Sequence, residues 1–185
     1  MKKLLVLFFA LLLPILIFLF LKSFGKNEFD VPVLFADSVT APVNCSVYKY
    51  PVPYSIPDSV LKQISWNASD TLTIVVFEDG LMKNKHERDI HIERVFAEFK
   101  KEPLHLVRVF SEQTIPNLKE DRLTEVSLSE SDFRAFHDCT FLLDMYQDAV
   151  IIDSRKRIRG QYNLVKREDA DRMIMQEMNI LFKRY

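Results

Sequence analysis

Hydrophobic and polar positions follow three successive regimes along the chain. Leu4 to Leu21 reads LLVLFFALLLPILIFLFL, 18 residues without a charge. As a helix rising about 1.5 Å per residue it spans roughly 27 Å, close to the thickness of a hydrocarbon core. From Lys22 to Asp58 the pattern breaks at Pro32, Pro42, Pro51, Pro53 and Pro57, so a regular helix is not expected and YKYPVPY should run extended. Beyond that arm the periodicity becomes regular. TLTIVVF, Thr71 to Phe77, is β-branched and apolar and predicts a buried strand, followed by a loop from Glu78 to Lys85. Ile92, Val95, Phe96 and Phe99 recur at i, i+3, i+4 and i+7, one face of a helix from about His86 to Lys101 that Pro103 stops. LHLVRVF, Leu104 to Phe110, predicts the next strand. Ser129 or Ser131 can cap a short helix in LSESDFRAFHD. Ala149 to Asp153 and Arg157 to Tyr162 predict two strands joined by a tight turn. Ala170, Met173, Ile174, Met178, Leu181 and Phe182 then stripe a closing helix with acidic residues in its first turn.

Strands flanking a helix are expected to be parallel, with a right-handed crossover, and the late hairpin antiparallel. The expected class is α/β, a mixed sheet with helices on both faces, in an order that resembles thioredoxin. The expected domains are 1–22, a transmembrane helix; 23–65, an extended Pro-rich arm; and 66–185, the thioredoxin-like domain. The arm carries Phe35, Tyr48, Tyr50 and Tyr54, aromatics expected to dock onto the chain's own domain rather than stay in water.

Lys2 and Lys3 precede the apolar run, which suits a cytoplasmic N-terminus. The residues after it are bulky and offer no small-x-small site, so an uncleaved signal anchor is favoured over a cleaved peptide. The expected location is a bacterial inner (cytoplasmic) membrane, crossed once, with the globular part on the periplasmic or extracytoplasmic side. A cleaved signal would instead leave a plain secreted domain. Charge changes the picture by exclusion. Lys plus Arg is 25 against 26 for Asp plus Glu, a poor balance for bulk binding to nucleic acid. The basic stretch at Arg155, Lys156, Arg157 and Arg159 is diluted by Glu168, Asp169 and Asp171 and reads as a hairpin turn. Fifteen Phe and three Gly argue against disorder.

AVIIDSRKRIRGQYN followed by REDADRMIMQEMNIL resembles the C-terminal part of Sco-type (SCO/SenC) proteins. Asp153, Arg157, Ile158, Arg159, Gly160 and Tyr162 carry the likeness. It implies a membrane-anchored thioredoxin fold that helps assemble the copper site of cytochrome c oxidase. It also implies that the arginines sit in the turn and at the sheet edge, and that Gly160 permits a bulge or a close backbone approach. The family's chemistry needs Cys-x-x-x-Cys just after the first core strand and a His before the hairpin. Here those places read Glu78-Asp79-Gly80-Leu81-Met82-Lys83-Asn84 and Asp144-Met145-Tyr146-Gln147-Asp148, without cysteine or histidine. Neither copper binding nor thiol chemistry carries over, and no Cys-x-x-Cys replaces the lost motif.

Relocated ligands would have to come from Cys45, Cys139, Met82, His86, His91, His105, His137 and Met145. Their spacing matches no metal motif, so no metal site and no cofactor are expected, copper being the residual option. Cys45 and Cys139 allow a disulfide, two separate buried thiols or a redox pair. Glu78 and Asp79 are two carboxylates in the functional loop position, read as a solvated loop. G-x-S-x-G, H-E-x-x-H and a phosphate loop are absent, so no catalytic residue is assigned. Asn44-Cys-Ser46 and Asn67-Ala-Ser69 match a glycosylation pattern that matters in a eukaryotic secretory host. The function expected is a non-catalytic assembly or accessory factor acting by contact with an unidentified protein at the membrane. The alternative is a copper chaperone or thiol-disulfide oxidoreductase using Cys45 and Cys139.

Overall fold

The computed structural model describes residue 3 and residues 12–20, 30–79, 85–111 and 121–184. The chain divides into two compact units, Met1–Asp30 and Val31–Tyr185. In the first, residue 3 and residues 12–20 are helical. Most of the expected transmembrane helix lies outside the described residues, and among those described no helix is long and apolar enough to cross a membrane.

The second unit opens with irregular chain holding one 3-10 turn, Val43–Cys45, and then helix α1, Asp58–Gln63. Strand β1 is Leu72–Glu78, helix α2 Lys85–Glu98, strand β2 Leu104–Ser111 and strand β3 Leu123–Leu128. Helix α3 begins as Glu130–Arg134, capped by the Ser129 side chain, and widens into a π-helical stretch, Ala135–Thr140. Strands β4, Ala149–Asp153, and β5, Ile158–Tyr162, form the late hairpin. The closing helix α4 runs through Arg167–Asp171, a π-helical stretch Arg172–Glu177 and Met178–Arg184.

The described strands form one sheet in the order β3-β2-β1-β4-β5. β1, β2 and β3 are parallel, while β4 runs antiparallel to β1 and β5 to β4. This is the thioredoxin-like mixed sheet, lengthened at one edge by β3. The extra strand is a correction to the four-strand reading. Its sequence, LTEVSL, is half-exposed along its length and has no continuous apolar run, because an edge strand need satisfy only one neighbour.

β1 is buried at every position, as a central strand covered on both faces must be. Its alternation sorts two cores. Leu72, Ile74 and Val76 face Ile92 and Val95 of α2 and Met173, Ile174 and Met178 of α4. Val75 and Phe77 face Phe133 and Phe136 of α3, Val60 and Leu61 of α1, and Tyr54 and Ile56 of the arm. Burying each large apolar side chain stabilises by about 1.5–3 kcal/mol, so the arm is part of this core rather than a spacer beside it.

The hairpin departs from expectation at its arginines. Asp153 is fully buried and accepts from the backbone N–H of Arg155 at 2.9 Å and of Arg157 at 3.0 Å. It also accepts from Arg157 Nε at 2.8 Å and Arg159 Nη1 at 3.2 Å. The register slips by one residue, pairing Ile151 with Gly160 but Ile152 with Ile158, so Arg159 is the extra residue of a bulge. Arg159 is buried and donates to the carbonyl of Val31. It thus lies on the edge strand β5, as expected, but its side chain is turned inward rather than left in solvent. Gly160 sits beside that bulge, and what approaches it closely is a side chain rather than backbone: a Cβ there would stand 1.9 Å from the Tyr162 hydroxyl.

Candidate functional site

The parallel strands β1 and β2 end side by side, and β4 enters beside them. Glu78 is the last residue of β1 and is buried, so it does not belong to a solvated loop as the sequence suggested. The reason is Arg108. This guanidinium stands in the middle of β2 with no exposure, and it needs an acceptor wherever the chain can supply one. Arg108 Nε donates to Glu78 and Arg108 Nη2 to Asp89 at 2.8 Å. Arg88, in the first turn of α2 and equally buried, lies 3.6 Å from the other Glu78 oxygen and donates from Nε to Asp148 at 3.1 Å. Asp148 closes the chain by accepting from the backbone N–H of Leu164 at 2.6 Å. Burial pushes the Asp148 carboxyl up from its ordinary value, against the pull of Leu164 and Arg88. Three carboxylates and two guanidiniums thus tie together β1, β2, α2 and the entry to β4. Such a cluster fixes geometry, and each of its carboxylates is paired with a guanidinium. The sequence reading missed it. Its visible signals were an arginine inside LHLVRVF and a glutamate ending TLTIVVFE.

On the opposite face of β1 lies a cleft of about 270 Å³ between Phe77, Asp79, Phe133, His137 and Met145. His137 Nδ1 is 2.6 Å from the Asp138 carboxylate and Nε2 is 2.9 Å from the Gln147 carbonyl. Its ring meets Phe77 edge-on at 5.3 Å and stacks on Phe133. Both nitrogens lie against oxygen atoms of neighbouring residues, which fixes the orientation of the ring in the cleft. Met145 stands 80% exposed at the rim. Met82 lies outside the described residues.

Cys45 and Cys139 form a disulfide, with Cα atoms 5.4 Å apart. It joins the 3-10 turn of the arm to the π stretch of α3. Cys45 is wholly buried and Cys139 nearly so, and neither lines the cleft. The last carbonyls of a helix lack intrahelical donors. Here the arm provides them: Tyr50 donates to the Cys139 carbonyl at 2.9 Å and Tyr54 to that of Thr140 at 2.6 Å. His105 contacts Thr124 Oγ1 at 2.8 Å, and burial pulls its ring below the ordinary histidine value. Burial likewise lowers His91. Among the described residues no three His, Cys, Asp or Glu side chains converge as a metal-binding group.

No family model and no curated protein matches the sequence. Among solved structures, BsSco, a member of the Sco family of cytochrome c oxidase assembly proteins, aligns at 12% identity and a TM-score of 0.49 over 62% of this chain and 82% of its own. A SCO1/SenC family lipoprotein from Bacillus anthracis aligns at 10% identity and 0.47, over 65% and 84%. A putative thiol:disulfide interchange protein DsbE from Chlorobium tepidum aligns at 11% and 0.48, over 69% and 92%. At these identities the likeness concerns the fold alone. The chain is similar to thioredoxin-fold proteins of the Sco and DsbE kind.

Proposed function

We propose that this chain is a membrane-anchored, thioredoxin-fold protein that acts by contact, as a non-catalytic assembly or accessory factor for a respiratory or other membrane complex. The single observation that carries this reading is the Glu78–Arg108–Arg88–Asp148 cluster at the C-terminal end of β1. By resemblance, that is where Sco-type proteins keep their reactive sulfurs. A desolvated ion network there holds the scaffold and offers no soft ligand to copper. The two cysteines are bonded to each other, which removes the thiolates a copper site of that kind requires. The anchoring we propose is supported by the uncharged run Leu4 to Leu21, and a domain on the extracytoplasmic side of the inner membrane is supported by Lys2 and Lys3 ahead of that run.

Two measurements test the reading. Affinity capture of the full chain from solubilised membranes, with mass spectrometry, should return one reproducible membrane complex. Copper titration of the purified full chain should show no stoichiometric uptake, and tight binding near one equivalent would overturn the proposal.

One observation favours a second reading. Cys45 and Cys139 meet in a disulfide, so thiol-disulfide exchange with a partner is chemically available. Their burial demands that the arm lift before a thiolate can attack. Thiol trapping under mild reductant decides it: sulfurs that stay blocked eliminate exchange.

A further inference from the structure

The arm segment around Cys45 has a composition unlike the rest of the chain. From Ser38 to Pro57 the one charge is Lys49, although 28% of the chain is charged. Within that segment Val43 is 95% exposed, Val47 90% and Val52 54%, and Tyr48 is half-exposed. A charge-poor stretch that turns three valines to solvent is depleted in the groups that normally keep a surface in water.

The segment is also held in place. Cys45 is anchored by its disulfide to α3. Tyr48 stacks on Tyr50 at 6.5 Å, and Tyr50 is bonded to the Cys139 carbonyl. Val43, Val47 and Tyr48 therefore project from a base that is already ordered, so burying them elsewhere carries little further loss of backbone freedom.

We infer that the loop from Val43 to Val52 contacts a lipid surface, with Val43, Val47 and Val52 in the outer acyl region and Tyr48 and Lys49 at the headgroups. The inference rests on the anchoring proposed above. The chemistry fits that occupant. Tyrosine is enriched where an apolar body and a polar tip meet the interface, and a cation in a segment that holds no carboxylate from Ser38 to Pro57 suits anionic headgroups. Valines and prolines are short, which suits shallow contact rather than deep insertion. Nine residues, Lys22 to Asp30, separate the apolar run from Val31, where the folded domain starts. Even fully extended they reach only about 30 Å, which bounds how far Val31 can stand from a bilayer crossed by that run.

The test uses the full chain reconstituted in nanodiscs of phosphatidylcholine and phosphatidylglycerol, with and without acyl-chain bromination. Val47→Trp adds an indole at a position without packing partners to lose, and the native Trp66 is the internal comparison. The expected result is that bromolipid quenches the added indole about twofold or more beyond Trp66, and that adding Val43→Asp removes the difference. A chain retained in the discs whose added indole is quenched no more than Trp66 overturns the lipid contact and leaves the anchor standing. A chain not retained in the discs overturns both. An indole that is blue-shifted in native membranes yet unquenched in bromolipid is covered by protein, and that too overturns the inference.

Discussion

The hydroxyl of Tyr54 donates to the backbone carbonyl of Thr140 at 2.6 Å, across 86 positions of sequence. Thr140 ends the π stretch of α3, and its carbonyl is buried with no turn of helix beyond it. Tyr54→Phe keeps the ring in the core and removes the donor. A loss of about 1–2 kcal/mol is expected from urea denaturation, with the slope unchanged. Tyr50→Phe, whose bond is half-buried, should cost less.

The disulfide closes a sequence separation of 94 residues. In the chain-entropy model such a loop is worth about 4–5 kcal/mol, and native disulfides typically measure about 2–5. Replacing both cysteines by alanine should lower stability within that range. Reduced wild-type protein should match the double variant, since both lack the same constraint on the unfolded chain. A difference of less than about 1 kcal/mol from the oxidised protein would remove the staple from the account.

Glu78 and Arg108 form a buried pair, and severing one side should hurt more than replacing both. Arg108→Met leaves Glu78 buried beside Arg88 alone, and Glu78→Gln leaves two guanidiniums short of one charge. Each single variant should cost about 3–5 kcal/mol, whereas Glu78→Leu with Arg108→Met should cost far less than the sum. A double-mutant cycle by thermal unfolding measures the coupling, and additive losses would contradict the network.

Asp153 is predicted to control the acid limb of stability. Burial alone would raise its carboxyl. The side-chain and backbone donors of Arg157, together with Arg159, outweigh burial and hold the carboxyl below its ordinary value. A carboxyl depressed on folding contributes stability that is present above its unfolded pKa of about 3.9 and is lost as pH falls through the folded value. Asp153→Asn should therefore be clearly destabilised at pH 7, and its gap from wild type should narrow as pH drops below about 4. Asp148 has the opposite sign, because its carboxyl is raised on folding, so ionising it costs stability as pH rises. Unfolding curves at pH 3 to 7 for both asparagine variants separate the two.

Gly160→Ala tests the packing of the hairpin. The new Cβ would lie 1.9 Å from the Tyr162 hydroxyl and 2.4 Å from the ring carbon bearing it. The ring is held by the bond from its hydroxyl to Glu177 and by Arg172 above its face. Moving it should cost about 1–3 kcal/mol. Tyr162→Phe in the same chain removes the nearest atom but not the ring carbon, so recovery of the melting temperature should be incomplete.

Much of this fold was legible beforehand because it is written in local periodicity. TLTIVVF, LHLVRVF and AVIID are apolar runs that a central strand requires, and Ile92 and Val95 sit on the helix face expected. β3 escaped because LTEVSL earns its place by backbone pairing to β2 at a half-exposed edge, which leaves little trace in side-chain type. Glu78 escaped for a different reason. A carboxylate after an apolar strand is ordinarily solvated, and it becomes interior only when Arg108, 30 positions later, arrives beside it. Arg159 likewise looked like one more basic turn residue until the slipped register turned it inward to Asp153 and the Val31 carbonyl.

Sequence alone determined the elements whose hydrophobic pattern repeats over a few residues, the prolines that break the arm, and the absence of cysteine and histidine from the two places where Sco-type proteins carry them. Tertiary structure decided which charges are buried together, which two sulfurs meet, and that the arm caps α3 rather than merely linking to it. The division is physical. Periodicity is a local consequence of how a helix or strand presents its faces, whereas the partners of Glu78, Tyr54 and Cys45 lie 30, 86 and 94 positions away, and only the packed sheet brings them within bonding distance.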